Sequence, residues 1–180
     1  MHAAHRTLVI LGMMLTACVQ EDEPRLRTHD LVDNRAWERV EGAADPWHSA
    51  RPAEAALCGD TDLLVEEWGE DVWFDLDTQG CAYVTVRQSL LADVPRGADL
   101  SVRIWHFKQS AWEGTFALAY RLGAKGPPEW SLKKEVPAES SLIEDTWPSS
   151  RDYVAGDDVY FHLSNHGENS WSLLELSATY

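Results

Sequence analysis

From Leu63 to the carboxyl terminus the chain alternates. Apolar side chains recur at every second position in Val72, Phe74 and Leu76; Val84 and Val86; Leu100, Val102 and Ile104; Phe116, Leu118 and Tyr120; Val159, Phe161 and Leu163; and Leu174, Leu176 and Ala178. A period of two puts each set on one face of a β-strand and sends the residues between to the other. The pattern predicts strands over 63–68, 71–77, 83–90, 99–108, 115–122, 129–136, 141–146, 157–164 and 170–179. Between them, "TQG", "VPRGAD", "AKGPP" and "VAGDD" supply residues that accept positive φ or fix a turn. No segment of useful length carries the helical period, and no internal repeat supports a propeller or solenoid. The expected fold class is all-β, a two-sheet antiparallel jelly-roll-like β-sandwich with the apolar faces meeting between the sheets.

Ahead of the strands the text changes twice. Residues 1–17 hold a short basic region around Arg6, an apolar run from Leu8 to Leu15 and small residues before Cys18, the layout of a secretory signal peptide. The run is too short for a permanent membrane helix. Residues 18–46 are polar and charged without period-two patterning, which predicts a flexible tether with one short helical turn around Asn34 to Val40. Residues 47–180 form the predicted sandwich domain.

"LTAC", Leu15 to Cys18, resembles the lipobox of bacterial lipoproteins. The resemblance implies cleavage before Cys18, lipidation of that residue and membrane attachment through it; Val19 in place of an aspartate points to the outer membrane of the cell envelope. Cys58 and Cys81 then remain as an even pair in an oxidising compartment, and a disulfide between them is expected. Two cysteines alone do not make a structural zinc site.

The charge narrows the partners. Thirty Asp and Glu against fifteen Lys and Arg give a formal net charge of −15, which repels phosphate backbones, so nucleic acid is not an expected partner. No cofactor is called for, since phosphate-binding glycine loops are absent.

The densest chemistry lies in "FHLSNHGENSW", Phe161 to Trp171. His162 and His166 have zincin spacing, but Leu163 stands where that motif needs a glutamate, and the segment reads as strand and turn rather than helix. There is no Gly-x-Ser-x-Gly elbow, so no catalytic nucleophile is marked. If "NHGE" is a two- or four-residue hairpin loop, His162 falls opposite Trp171 on the face away from Phe161 and Leu174; a three-residue loop would separate them. His106 has core-facing parity and is expected either buried with a partner or at the strand end. Nine tryptophans are many for this length, and Trp73, Trp105 and Trp171 alternate outward from apolar neighbours, where indoles make platforms for sugar rings or protein partners.

From "WFDLDTQGCAYVTV" through "RIWHF" to the final strand, the text resembles the carboxyl-terminal domain of uncharacterised envelope lipoproteins and, more loosely, jelly-roll carbohydrate-binding modules. That resemblance implies a binding function without assigning a residue. Three readings follow. The first is a lipid-anchored, non-enzymatic module binding a glycan or an envelope protein through Trp105, His162 and Trp171, or through His106, Asn165, His166, Glu168 and Asn169. The second is a hydrolase or metal-dependent enzyme at the strand ends around His106, His162 and His166. The third is a structural accessory lipoprotein.

Overall fold

The structure is a computed structural model and describes residues 26–111, 114–166 and 168–180. Among these residues eleven strands run in chain order: β1 Thr28–Asp30, β2 Glu38–Arg39, β3 Leu63–Trp68, β4 Asp71–Asp77, β5 Tyr83–Ser89, β6 Asp99–His106, β7 Thr115–Leu122, β8 Trp130–Glu135, β9 Ser141–Pro148, β10 Asp158–Asn165 and β11 Ser170–Thr179. They build two antiparallel sheets. The front sheet has six strands in the order β3-β4-β11-β6-β9 with β1 also on β11, and the back sheet has five in the order β2-β5-β10-β7-β8. All nine predicted strands are present with nearly the expected bounds, and the all-β, two-sheet jelly-roll sandwich holds.

The inner faces are those the alternation marks. Phe74, Leu76, Leu100, Val102 and Ile104 of the front sheet meet Val84, Val86, Phe116, Leu118, Val159, Phe161 and Leu163 of the back sheet, all buried. Each such side chain contributes about 1.5–3 kcal/mol on leaving water. The β3–β4 hairpin turns through Gly69 and Glu70, with Trp68 opposite Asp71. Gly69 has φ 68°, a conformation that a Cβ would disfavour.

Three expectations need correction. The tether predicted over 18–46 is docked from its described part onward: β1 pairs with β11, β2 pairs with β5, and Leu31 and Val40 are buried. Its pairing partners are distant in sequence, so no local alternation marks it. Asn34 to Val40 is not helical but a turn closed by Ala36 N–H on the Asp33 carbonyl, leading into β2. The first lipidation-related residues, including Cys18, lie outside the described residues.

The second correction concerns "NHGE". It is not a hairpin loop, because β10 and β11 belong to different sheets: His162 faces Thr85 and Ala119, while Trp171 faces Leu76 and His106. The segment carries the chain from one sheet to the other.

The third is a register shift. β11 bulges between Leu173 and Glu175, so the residues before the bulge have the opposite parity to those after it. Leu176 and Ala178 face the core as predicted, but Leu174 does not, and Trp171 and Leu173 point inward. Trp171, expected outside, is 0% exposed. Asn34 braces the same place, its Nδ2 reaching the carbonyls of Val72 at 2.8 Å, Leu173 at 2.9 Å and Leu174 at 3.2 Å. These are backbone acceptors that the interrupted β4–β11 ladder would otherwise leave exposed to loss.

Candidate functional site

The residues singled out in the sequence separate into four environments. His106 and Trp171 are core. The His106 ring lies 4.9 Å from Trp171 and 5.6 Å from Phe116, and its Nδ1–H donates to the Phe107 carbonyl at 2.9 Å. Burial lowers its pKa, more than the carbonyl bond raises it, so the ring stays neutral. Of the two outcomes expected for His106, this is burial with a partner.

His162 lies on the outer face of the back sheet, yet only 6% of it is exposed. Trp47, from the segment before β3, stacks on it at 4.9 Å, and Tyr83 packs edge-on at 4.8 Å. Thr85 Oγ1 donates to Asp45 Oδ1 at 2.9 Å and thereby accepts from His162 Nδ1–H at 3.0 Å. Tyr83 donates to the other oxygen of Asp45 at 2.7 Å. Burial pushes the His162 pKa down to about 4 although the Asp45 charge opposes the shift. The covering segment is stapled to the sheet by the Cys58–Cys81 disulfide, with an S–S distance of 1.96 Å and Cα atoms 4.9 Å apart.

At the strand ends, Asn165 and Asn169 hold the sheet-to-sheet crossing. Asn165 Nδ2 donates to Thr78 Oγ1 at 2.8 Å and Gln109 Oε1 at 2.9 Å, deep in the protein. Asn169 takes φ 143°, donates to the Lys108 carbonyl at 3.0 Å and accepts from Ser170 N–H at 2.9 Å. His166 and Glu168 are exposed and line a surface depression with Lys108, Ser110 and Pro137. The histidines therefore do not converge. Among the described residues the one group of three possible ligands within mutual reach is Cys58, Asp62 and Cys81, whose thiols are consumed in the disulfide.

Trp105 does lie outside, on the front sheet, and it has company that no local sequence signal announced. Strand registers place Leu64, Asp75, Ser172, Trp105 and Leu142 in one row across five strands of that outer face. Glu66 and Trp73 form the neighbouring pair, and Trp68 stacks on Trp73 with ring centroids 6.0 Å apart. Trp105 packs edge-on against Phe107 at 6.2 Å. Trp68 is 63% exposed and Leu64 47%. The alternation that marked Trp73 and Trp105 as outward is confirmed; what it does not show is that β3, β4, β11 and β6 are neighbours, because β11 inserts between strands far earlier in the chain.

Under this aromatic surface sits one polar anomaly. Asp75 is 8% exposed, and its Oδ1 is buried without a hydrogen-bond partner. Burial raises its pKa, a hydrogen bond from Ser172 opposes the rise, and the charge of Glu66 adds to it. Asp75 lies in its row between Leu64 and Ser172, two residues along β4 from Trp73, and its carboxyl group is nearly closed to solvent.

No protein-family model and no curated protein matches the chain. Solved structures do. A carbohydrate-binding module, TmCBM27, described for specific mannan recognition, superposes with a TM-score of 0.51 at 10% identity, covering 86% of this chain and 98% of that one. A family 11 carbohydrate-binding module from Clostridium thermocellum, in complex with a mixed-linked tetrasaccharide, gives 0.45 at 11% identity over 83% of this chain and 94% of that one. At these identities the first likeness defines the class of fold, the jelly-roll β-sandwich of carbohydrate-binding modules.

Proposed function

We propose that the chain is a lipid-anchored, non-enzymatic envelope protein whose sandwich binds a glycan on the outer face of the front sheet. The observation that carries this reading is the aromatic surface of exposed Trp68 and half-buried Trp73 and Trp105 on one outer face of the front sheet. Flat indoles suit the apolar faces of sugar rings, and directed polar groups between them fix orientation. The fold shared with a mannan-recognising module supports the reading by architecture. Of the residues marked in sequence, Trp105 belongs to this site; Trp171, His106, His162 and Asn165 are buried away from it, and His166, Glu168 and Asn169 lie at the sheet crossing. The test is binding of the domain to a glycan array. Trp73→Ala and Trp105→Ala should each weaken binding at least about tenfold, the scale of one lost ring contact, with the fold unchanged by circular dichroism. Unaltered binding in both variants would move the site elsewhere.

The anchor rests on "LTAC" and the apolar run before it. Labelling with a palmitate analogue in the native host should mark the wild type and not Cys18→Ser. Equal labelling of both would remove Cys18 as the attachment point. Outer-membrane residence is supported by Val19 after the cysteine, and fractionation of the host envelope tests it.

A further inference from the structure

Among the described residues the exposed large apolar side chains fall mainly into two groups. Leu64, Val65 and Trp68 belong to β3, whereas Leu26, Leu91 and Val154, each more than half exposed, come from three separate segments. Hydrogen bonds tie those segments into one end of the sandwich. Arg27 exchanges N–H and carbonyl with Tyr180, whose hydroxyl donates to the Asp93 carbonyl at 2.7 Å. Leu90 N–H donates to the Asp157 carbonyl at 2.8 Å, its carbonyl accepts from Gly156 N–H at 2.9 Å, and Val94 pairs with Tyr153. At this end β5 and β7 finish and β6 and β10 begin. Phe107 and Ser110 mark the opposite end, about 25 Å away along the eight residues of β6.

The charges at this end are sorted too. Asp93, Asp152 and Asp157 turn a carboxylate oxygen onto the backbone N–H groups of Ala155, Arg96 and Val154, at 2.8, 2.8 and 3.0 Å. The side chains of Arg27, Arg96 and Lys125 have no hydrogen bond or ion pair among the described residues, and against them stands the carboxylate of Asp99 at the head of β6. In a chain of net charge −15, apolar tips ringed by free cations are the exception. They match the layering of a phospholipid surface, phosphates above an apolar boundary. Asp99 and the net charge oppose a strongly anionic surface, which leaves a zwitterionic one.

The point where the chain leaves the fold is an independent pointer to the same occupant. The described chain starts at Leu26, on this end, and no more than about 28 Å of backbone separates Leu26 from Cys18. Seating the opposite end on a bilayer would require residues 18–25 to span the full height of the sandwich. Seating this end does not.

We infer that this end is a membrane-docking surface for a zwitterionic phospholipid bilayer, with Leu26, Leu91 and Val154 entering the apolar boundary and Arg27, Arg96 and Lys125 meeting lipid phosphates. This rests on the lipid-anchor reading and adds an orientation to it. The strands stand upright on the bilayer, and the aromatic face of the front sheet looks along the membrane rather than into it.

The test uses the chain from Cys18 onward, its disulfide formed, joined through the Cys18 thiol to a maleimide phospholipid in phosphatidylcholine–phosphatidylethanolamine nanodiscs that also carry a gadolinium-chelating headgroup. Paramagnetic relaxation of backbone amides is read by NMR. Supplying the anchor chemically separates this question from whether the host lipidates Cys18, which the palmitate label decides. The amides of Leu91, Ala92, Val154 and Ala155 are expected to relax roughly tenfold or more faster than those of Phe107 and Ser110, because the effect falls steeply over about 25 Å. Tethering alone would favour the same end, so variants of exposed side chains discriminate. Leu91→Asp combined with Val154→Asp, and separately Arg27→Gln combined with Arg96→Gln, should each cut that ratio at least about threefold. Should the aspartate pair disturb the fold, seen as shifted core amides, the arginine pair decides alone. A ratio near one, strongest relaxation at Trp73 or Phe107, or a ratio unchanged in folded variants would overturn the docking surface and leave the lipid anchor standing.

Discussion

The outer faces of the two sheets begin alike and end differently. Each carries aromatic and polar side chains on strands whose other side is core: Trp73, Asp75 and Trp105 in front, Tyr83, Thr85 and His162 behind. On the back sheet a loop from before β3 lays Trp47 over His162, Asp45 closes the hydrogen bonds, and the Cys58–Cys81 disulfide fixes the cover. On the front sheet the indoles keep each other company, and the Asp75 oxygen keeps none. An outward-pointing aromatic residue is thus structural or available according to whether another segment of the chain covers it, which strand parity alone does not reveal.

Four perturbations test that contrast, in descending order of expected effect. Trp171→Ala leaves a cavity among His106, Phe116 and Leu173, and should destabilise the domain by about 3–5 kcal/mol in chemical denaturation. A loss below about 1 kcal/mol would return Trp171 to the surface and undo the bulge argument. Replacing both Cys58 and Cys81 by Ser should cost about 3 kcal/mol for a bridge spanning 23 residues, and should loosen the back cover first, seen as faster amide exchange around Trp47.

The third perturbation is pH. His162 has its pKa depressed in the folded state to about 4, against 6.5 for the free side chain, so the unfolded chain binds the proton first as pH falls. The stabilisation is whole above pH 6.5 and is lost between there and pH 4, amounting to about 2 kcal/mol by pH 5. Denaturation midpoints followed from pH 7 to pH 4 should show that slope in the wild type and a shallower one in His162→Gln. Trp47→Ala, which uncovers the ring, should bring the His162 titration back toward its ordinary value by NMR. An unshifted titration would mean that the cover is not what keeps the imidazole neutral.

The smallest effect on stability belongs to the open face. Trp73→Ala should change the unfolding free energy by no more than about 0.5–1 kcal/mol, since its ring is only half-buried and stacks chiefly on exposed Trp68. A cost near that of Trp171→Ala would make the front face a structural surface like the back.

The sheets were legible because their evidence is local. A strand such as β6, with Leu100, Val102 and Ile104 buried between polar neighbours, declares its faces within eight residues. Two things were not local. The bulge at Leu174 costs no unusual residue, so extrapolating alternation backward from Ala178 and Leu176 puts Trp171 on the wrong side. The pairing of β10 with β5 and β7, and of β11 with β4 and β6, is a matter of topology, and a His-Gly turn between two strands reads the same whether it joins neighbours or sheets. The proposed binding face follows the second limit. Trp105 is readable as outward, but its alignment with Asp75 and Leu64 exists only through Ser172 of the last strand.

The pairing of β1 with the end of β11 has a mechanical meaning. A leash running from Cys18 to residue 46 would let the sandwich roam up to about 100 Å from its point of attachment. Thr28 to Asp30 are instead zipped onto Ser177 to Thr179, and Arg27 extends that clasp, its N–H and carbonyl both bonded to Tyr180. Only about nine residues then lie between that clasp and Cys18, roughly 30 Å at full stretch. If Cys18 is the anchor, the sandwich is moored by its final strand close to the bilayer, and any pull on the sandwich is first borne by three residues of β1.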